Sequence, residues 1–157
     1  MGRRRIRHHL AVVRKQYLAM IASGQKRIEC RILRRRLVPF QAVDTGDRVW
    51  FKQRCGPILA TAKAERVRWQ TLHDHRQFES IRRRYGRQIC AESGFWPTED
   101  GVWHVGLIWL KDVEVCTPIW IEKTDRRAWV VLPGPPKSAR MTRPLRTPRA
   151  TRQESTP

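Results

Sequence analysis

The sequence predicts an α+β domain followed by a disordered basic tail, and three patterns carry that prediction. Runs with two-residue alternation of apolar and polar side chains recur along the chain, and two shorter stretches repeat their apolar residues at helical spacing. All hydrophobic periodicity then stops after Pro133-Gly134-Pro135-Pro136. A chain of 157 residues has room for one core, which places a single domain at 1–136 and the tail at 137–157.

The first strand is expected near Ile6 to Val13, with Leu10-Ala11-Val12-Val13 as its apolar part. A helix follows from about Arg14 to Ser23, built on Tyr17-Leu18-Ala19-Met20-Ile21-Ala22, and Gly24 can take the left-handed conformation that ends it. From residue 27 to 33 the alternation puts Ile28, Cys30 and Ile32 on one face of a strand and Arg27, Glu29 and Arg31 on the other. Arg34-Arg35-Arg36 and Pro39 break the pattern. Residues 48 to 54 read as a strand, Cys55-Gly56-Pro57 as a turn, and Ile58 to Trp69 as a long strand. Its Ile58, Ala60, Ala62 and Ala64 share a face, and such small residues predict close packing against the sheet interior or the first helix. A second helix is expected from His73 to about Tyr85, because Phe78, Ile81 and Tyr85 recur at helical spacing while Arg82, Arg83, Arg84 and Arg87 occupy the rest. Asp74 is its expected cap. After the turn-rich loop 93–101, residues 102 to 116 and 128 to 132 return to strand.

Lys plus Arg number 33 against 14 acidic residues, a formal net charge of +19. Such a chain meets polyanions strongly and at long range, and nucleic acid is the foremost of them. Charge alone does not name the polyanion, so a ribosome or another ribonucleoprotein particle stays open as partner, as does the oligomeric state. Cys30, Cys55, Cys90 and Cys116 form no C-x-x-C pair, which speaks against structural zinc. Cys30 alternates with isoleucines and reads as a small buried apolar residue. Of the triplet His73-Asp74-His75, two side chains are metal ligands by type, but no third stands with them, and no metal or cofactor is expected. The start Met1-Gly2-Arg3-Arg4-Arg5 opens onto no apolar run long enough for a signal peptide or a membrane span. A cytoplasmic location with reduced thiols and no membrane partner is the expectation.

The order of elements and the spacing G-x-K-x-x-E-x-R in Gly24-Gln25-Lys26-Arg27-Ile28-Glu29-Cys30-Arg31, followed by Thr45-Gly46-Asp47 and the strand Arg48-Val49-Trp50-Phe51-Lys52, resemble the ASCH domain of the PUA-like superfamily. The resemblance runs from about Leu10 to Leu132 and has specific motifs only to about Trp69. It implies a PUA-like small β-barrel with flanking helices and a nucleic-acid-facing cleft, residues 73–101 being a helical insertion and loop packed on the barrel. It implies an RNA-binding protein whose site contains Lys26, Arg27, Glu29, Arg31, Lys52 and Trp50. Lys26 would bind phosphate, Glu29 would accept from a base amino group or simply pair with Arg31, and Lys52 would extend the positive surface. Trp50 points away from Val49 and Phe51, toward a base or toward a second core layer under the inserted helix.

Some ASCH-like proteins are amidohydrolases on acylated cytidine using a Lys, a Thr and a Glu, and others are associated with RNA cleavage. Lys26 matches the lysine, but Glu29 occupies the threonine position, so the hydroxyl nucleophile is missing. No catalytic residue is assigned; in an enzyme Lys26 and Glu29 would be the candidates, though nothing singles out a general base for RNA cleavage. In the tail, Arg140, Arg143, Arg146, Arg149 and Arg152 recur every third residue; a polyproline-II segment with three residues per turn would align them along one edge as phosphate contacts, the alternative being a solubilising Arg and Pro tail whose spacing is chance.

Overall fold

The computed structural model describes residues 2–137; the five tail arginines lie outside them. Six strands and two helices follow the order β1 (His8–Val13), α1 (Lys15–Ala22), β2 (Ile28–Leu33), β3 (Arg48–Gln53), β4 (Ile58–Leu72), α2 (His75–Ile89), β5 (Trp103–Ile119) and β6 (Trp129–Leu132). A single 3₁₀ turn, Ser93–Phe95, separates α2 from β5.

One sheet contains all six strands in the order β2-β5-β4-β3-β1-β6. The pair β1 and β3 is parallel and the other pairs are antiparallel. Three register shifts interrupt the β4–β5 ladder, each a place where the sheet bends and twists more strongly. The result is a half-barrel. Its interior and α1 share one core: Ala11, Val13, Leu18, Ile21, Val43, Val49, Phe51, Ala60, Ala62, Ala64, Ile108 and Trp129. The small residues of β4 thus meet both the sheet interior and the first helix.

A second core lies on the other face of β2 and β5. There Ile28, Cys30, Val105 and Leu107 pack against Phe78, Ile81 and Ile89 of α2, so the helix covers the barrel from outside. Asp74 caps α2 by accepting from Arg76 N at 2.7 Å, and the Gln77 side chain returns to the Asp74 N–H in a capping box. Gly106 faces Trp69 across the β4–β5 ladder, and a Cβ at that position would collide with the indole, so only glycine lets the ring lie there.

Gly46 ends the loop before β3 at φ +92° and presents Asp47, which is fully buried. Asp47 accepts hydrogen bonds from Arg7 N (3.0 Å), Asp44 N (2.9 Å), Arg4 Nη2 (3.1 Å) and His9 Nε2 (3.1 Å). Trp129 Nε1 donates to His9 Nδ1 at 3.2 Å, which fixes the His9 proton on Nε2. This chain of bonds ties the N-terminal segment, β1, β3 and β6 together. Among the described residues no helix is long and apolar enough to cross a membrane, and the four cysteines are free.

Candidate functional site

The sheet does not close on itself, since β2 pairs with β5 alone and β6 with β1 alone. A cleft of about 480 Å³ occupies the seam. Its walls are Val12 and Val13 of β1, Arg14 and Tyr17 at the start of α1, Glu92 and Phe95 beyond α2, and Lys26, Glu29 and Arg31 at and before β2. Because α2 takes the apolar face of β2, the charged face of that strand turns inward to the seam. The spacing in sequence places these side chains together, and the fold makes them the floor of the cleft.

Gly24, at φ +79°, turns the chain out of α1, and Lys26 follows with 5 % exposure. Its ammonium donates to the carbonyls of Ile28 (2.9 Å) and Ile89 (2.5 Å), stands 3.6 Å from Glu29 Oε2, and lies 5.4 Å from the centre of the Tyr17 ring. Glu29, 4 % exposed, accepts from Arg31 Nε at 2.8 Å through Oε1. Arg31 bridges the seam: Nη2 donates to Val12 O at 3.2 Å and the guanidinium sits 5.2 Å from the centre of the Trp129 ring. Buried charges persist when paired and hydrogen-bonded, and each of these three has several partners. Among the described residues nothing donates a hydrogen bond to Glu29 Oε2, so that oxygen is the acceptor the floor offers to a ligand.

At the mouth, Arg14 Nη1 pairs with Glu92 Oε2 at 3.1 Å and Gln16 Nε2 donates to Glu92 Oε1 at 2.8 Å. The Glu92 N–H donates to the Tyr17 hydroxyl oxygen at 3.2 Å, leaving the hydroxyl proton to point at another acceptor. Phe95, edge-on to Trp96 at 5.3 Å between centres, adds an aromatic surface.

Lys52 and Trp50 do not belong to this cleft. Val49 and Phe51 take the interior positions of β3, so by alternation Trp50 and Lys52 stand on the opposite face. Trp50 Nε1 donates to His8 Nδ1 at 3.1 Å and the two rings stack, so the indole serves neither α2 nor the cleft. Lys52 Nζ donates to Gln53 O at 3.3 Å; burial first, then the neighbouring Lys123, hold its ammonium below the ordinary lysine range. Arg27 is exposed beyond the rim, its Nε donating to Gly24 O at 3.4 Å.

Cys30 lies under the floor, its thiol pushed up to about 12 by burial foremost and the Glu29 charge second. Asp100 comes within reach of Asp74 and His75, a third ligand type that the sequence left unplaced. All three are exposed, Asp74 already caps α2, and the His75–Asp100 bond at 2.8 Å raises the imidazole above its usual range.

Tyr17 was legible only as part of the apolar run that forms α1, and its role at the cleft was not. Arg14, Glu92 and Phe95 reach the site through contacts that no local pattern encodes, Glu92 meeting Tyr17 across 75 positions of sequence.

Among solved structures, the ASCH protein of Zymomonas mobilis has the same fold. Its crystal structure aligns with a TM-score of 0.55 at 18% sequence identity, covering 71% of this chain and 72% of that one. A tyrosine-to-phenylalanine variant of it gives 0.54 at 19% identity, over 71% and 74%. A serine-to-alanine variant gives 0.60 at 18%, over 80% and 87%. No protein-family model matches the chain, and no curated protein does. The chain has an ASCH domain fold.

Proposed function

We propose that, on this ASCH-type scaffold, the chain binds RNA, taking an unstacked base into the seam cleft. The observation that carries the reading is Glu29 Oε2: a carboxylate oxygen at the cleft floor, held between Lys26 and Arg31 and without a donor from the described residues. A fixed acceptor of this kind selects a base edge with an amino donor, and cytosine N4 is the standard partner of a glutamate. Tyr17 and Phe95 give the base aromatic surface, and the Tyr17 hydroxyl adds a donor. The net charge of +19 supplies phosphate attraction that is independent of sequence. Lys26 has both of its short contacts to backbone carbonyls, so its part is to hold Glu29 in place more than to receive phosphate.

The test compares single-stranded oligocytidylate with oligouridylate, since uracil has a carbonyl where cytosine has the amino group. Wild-type protein should prefer cytosine, by up to about 1–3 kcal/mol for a good base-edge pair. Glu29→Gln should abolish most of that preference while keeping or raising total affinity, because one negative charge is gone. Equal affinity of the wild type for both oligomers would remove base recognition from Glu29.

A further inference from the structure

A second concavity opens beside the cleft, between the end of β1 and the loop that leads into β6. It measures about 350 Å³, and its polar lining is five cations, Arg14, Arg54, Lys123, Arg126 and Arg127, with no carboxylate among the lining side chains. Two are neutralised by neighbours: Arg14 by Glu92, and Arg127 by Asp125, whose carboxyl it holds down at about 2. Lys123 donates to the backbone carbonyl of Asp125, and neither Arg54 nor Arg126 has a carboxylate partner among the described residues. Lys52 does not line the groove, but after burial the charge of Lys123 is what pushes its ammonium down.

The groove shares Val12, Val13 and Arg14 with the cleft. A third, wider hollow of about 580 Å³, carrying Phe95 and Trp103, reaches the same Arg14. Arg14 is therefore common to all three, and its side chain is 57% exposed.

We propose that this groove holds backbone phosphates of the single-stranded RNA whose base enters the cleft, with Arg54, Lys123 and Arg126 as phosphate ligands and Arg14 at the junction. The proposal rests on the RNA-binding reading above. A base seated in the cleft has its own phosphodiester within one nucleotide, and beyond the Arg14–Glu92 pair at the mouth the contiguous groove, with no carboxylate among its lining side chains, is where that backbone can run. A duplex is the wrong ligand, because a base taken into the cleft must first leave its stack. The combination of a base site and a neighbouring positive groove is the usual form of single-strand recognition.

The experiment measures affinity for a labelled single-stranded RNA oligomer as salt rises from roughly 50 to 200 mM. Full-length wild type is compared with Arg54→Ala/Arg126→Ala and with the control Arg83→Ala/Arg87→Ala on the exposed side of α2. Each single-strand phosphate that a variant no longer neutralises should flatten the slope of log affinity against log salt by about 0.7, so the groove variant should fall short of wild type by about 1.4. Its cytosine preference and its melting temperature should stay as in wild type, and the control should keep the wild-type slope. An unchanged slope in the groove variant, or equal flattening in both variants, overturns the groove while leaving RNA binding standing. Absence of wild-type binding overturns the RNA-binding reading itself, and the groove with it.

Discussion

Replacing Glu29 by glutamine tests whether the charged floor holds the fold. The substitution keeps the shape of the side chain and removes the one negative charge between Lys26, 3.6 Å away, and Arg31, 2.8 Å away. Breaking a buried ion pair by removing one partner costs about 3–5 kcal/mol, because the remaining charge stays desolvated. Here Lys26 keeps two backbone carbonyls, and Arg31 keeps Val12 O and the face of Trp129. The lower end, about 3 kcal/mol, is therefore expected. For a domain of this size that is a fall in melting temperature of roughly 6–12 °C. Thermal unfolding followed by far-ultraviolet circular dichroism reads it directly. Glu92→Gln is the internal comparison, since it also removes a carboxylate from an arginine pair, but one whose side chains are 57% and 51% exposed. That change should cost less than about 1 kcal/mol. If the two variants melt within a degree or so of each other, water must already screen Glu29, and the buried-triad reasoning fails.

Acid should weaken the fold in two stages. Burial above all holds the His9 imidazole below its ordinary range, so its contribution is complete above about pH 6.5 and is lost as pH falls toward the folded value. Burial works to raise Asp47, but the hydrogen bonds from Asp44, Arg7 and His9 and the charge of Arg4 outweigh it and leave the carboxyl depressed. Its contribution is complete above about pH 4 and disappears below, as pH falls through the folded value. His75, raised by Asp100, has the opposite sign but is exposed and screened by salt. A melting temperature that stays flat between about pH 7 and pH 5 in moderate salt would contradict the His9 assignment. Catalysis is the remaining question. Purified protein given acylated cytidine or single-stranded RNA should show no turnover above a Lys26→Ala control, because position 29 lacks the hydroxyl and Lys26 is engaged by two carbonyls. Hydrolysis that depends on Lys26 would refute this.

Local physics made much of the fold legible. Gly24 marks the end of α1, the alternation of Ile28 and Cys30 marks a buried face, and Asp74 caps α2 as its position suggested. Three charged residues of the candidate site were legible as a group, but their depth was not. Lys26, Glu29 and Arg31 do meet, yet alternation states only that two faces differ and not how deeply either is buried. What decides the matter is α2, whose apolar side claims the other face of β2 and whose last residue, Ile89, brings a carbonyl to Lys26 across 63 positions. Alternation likewise puts Trp50 and Lys52 opposite Val49 and Phe51, but does not say which of the two faces meets the cleft. Strand order puts β3 beside β1, but the interior side of β3 is settled by Val49 and Phe51.

The seam has a consequence for how such a molecule can diversify. Arg31 reaches from β2 across the open seam to Val12 of β1 and Trp129 of β6, so the residues at the bottom of the cleft also hold the two ends of the half-barrel together. A change there alters recognition and integrity together, and few variants survive both demands. Arg14, Tyr17 and Phe95 line the opening without bridging the edges. New preferences are reachable first at exposed Arg14, since Tyr17 and Phe95 also pack against the two cores; a library built to retarget the chain should leave Lys26, Glu29 and Arg31 untouched and begin at the entrance.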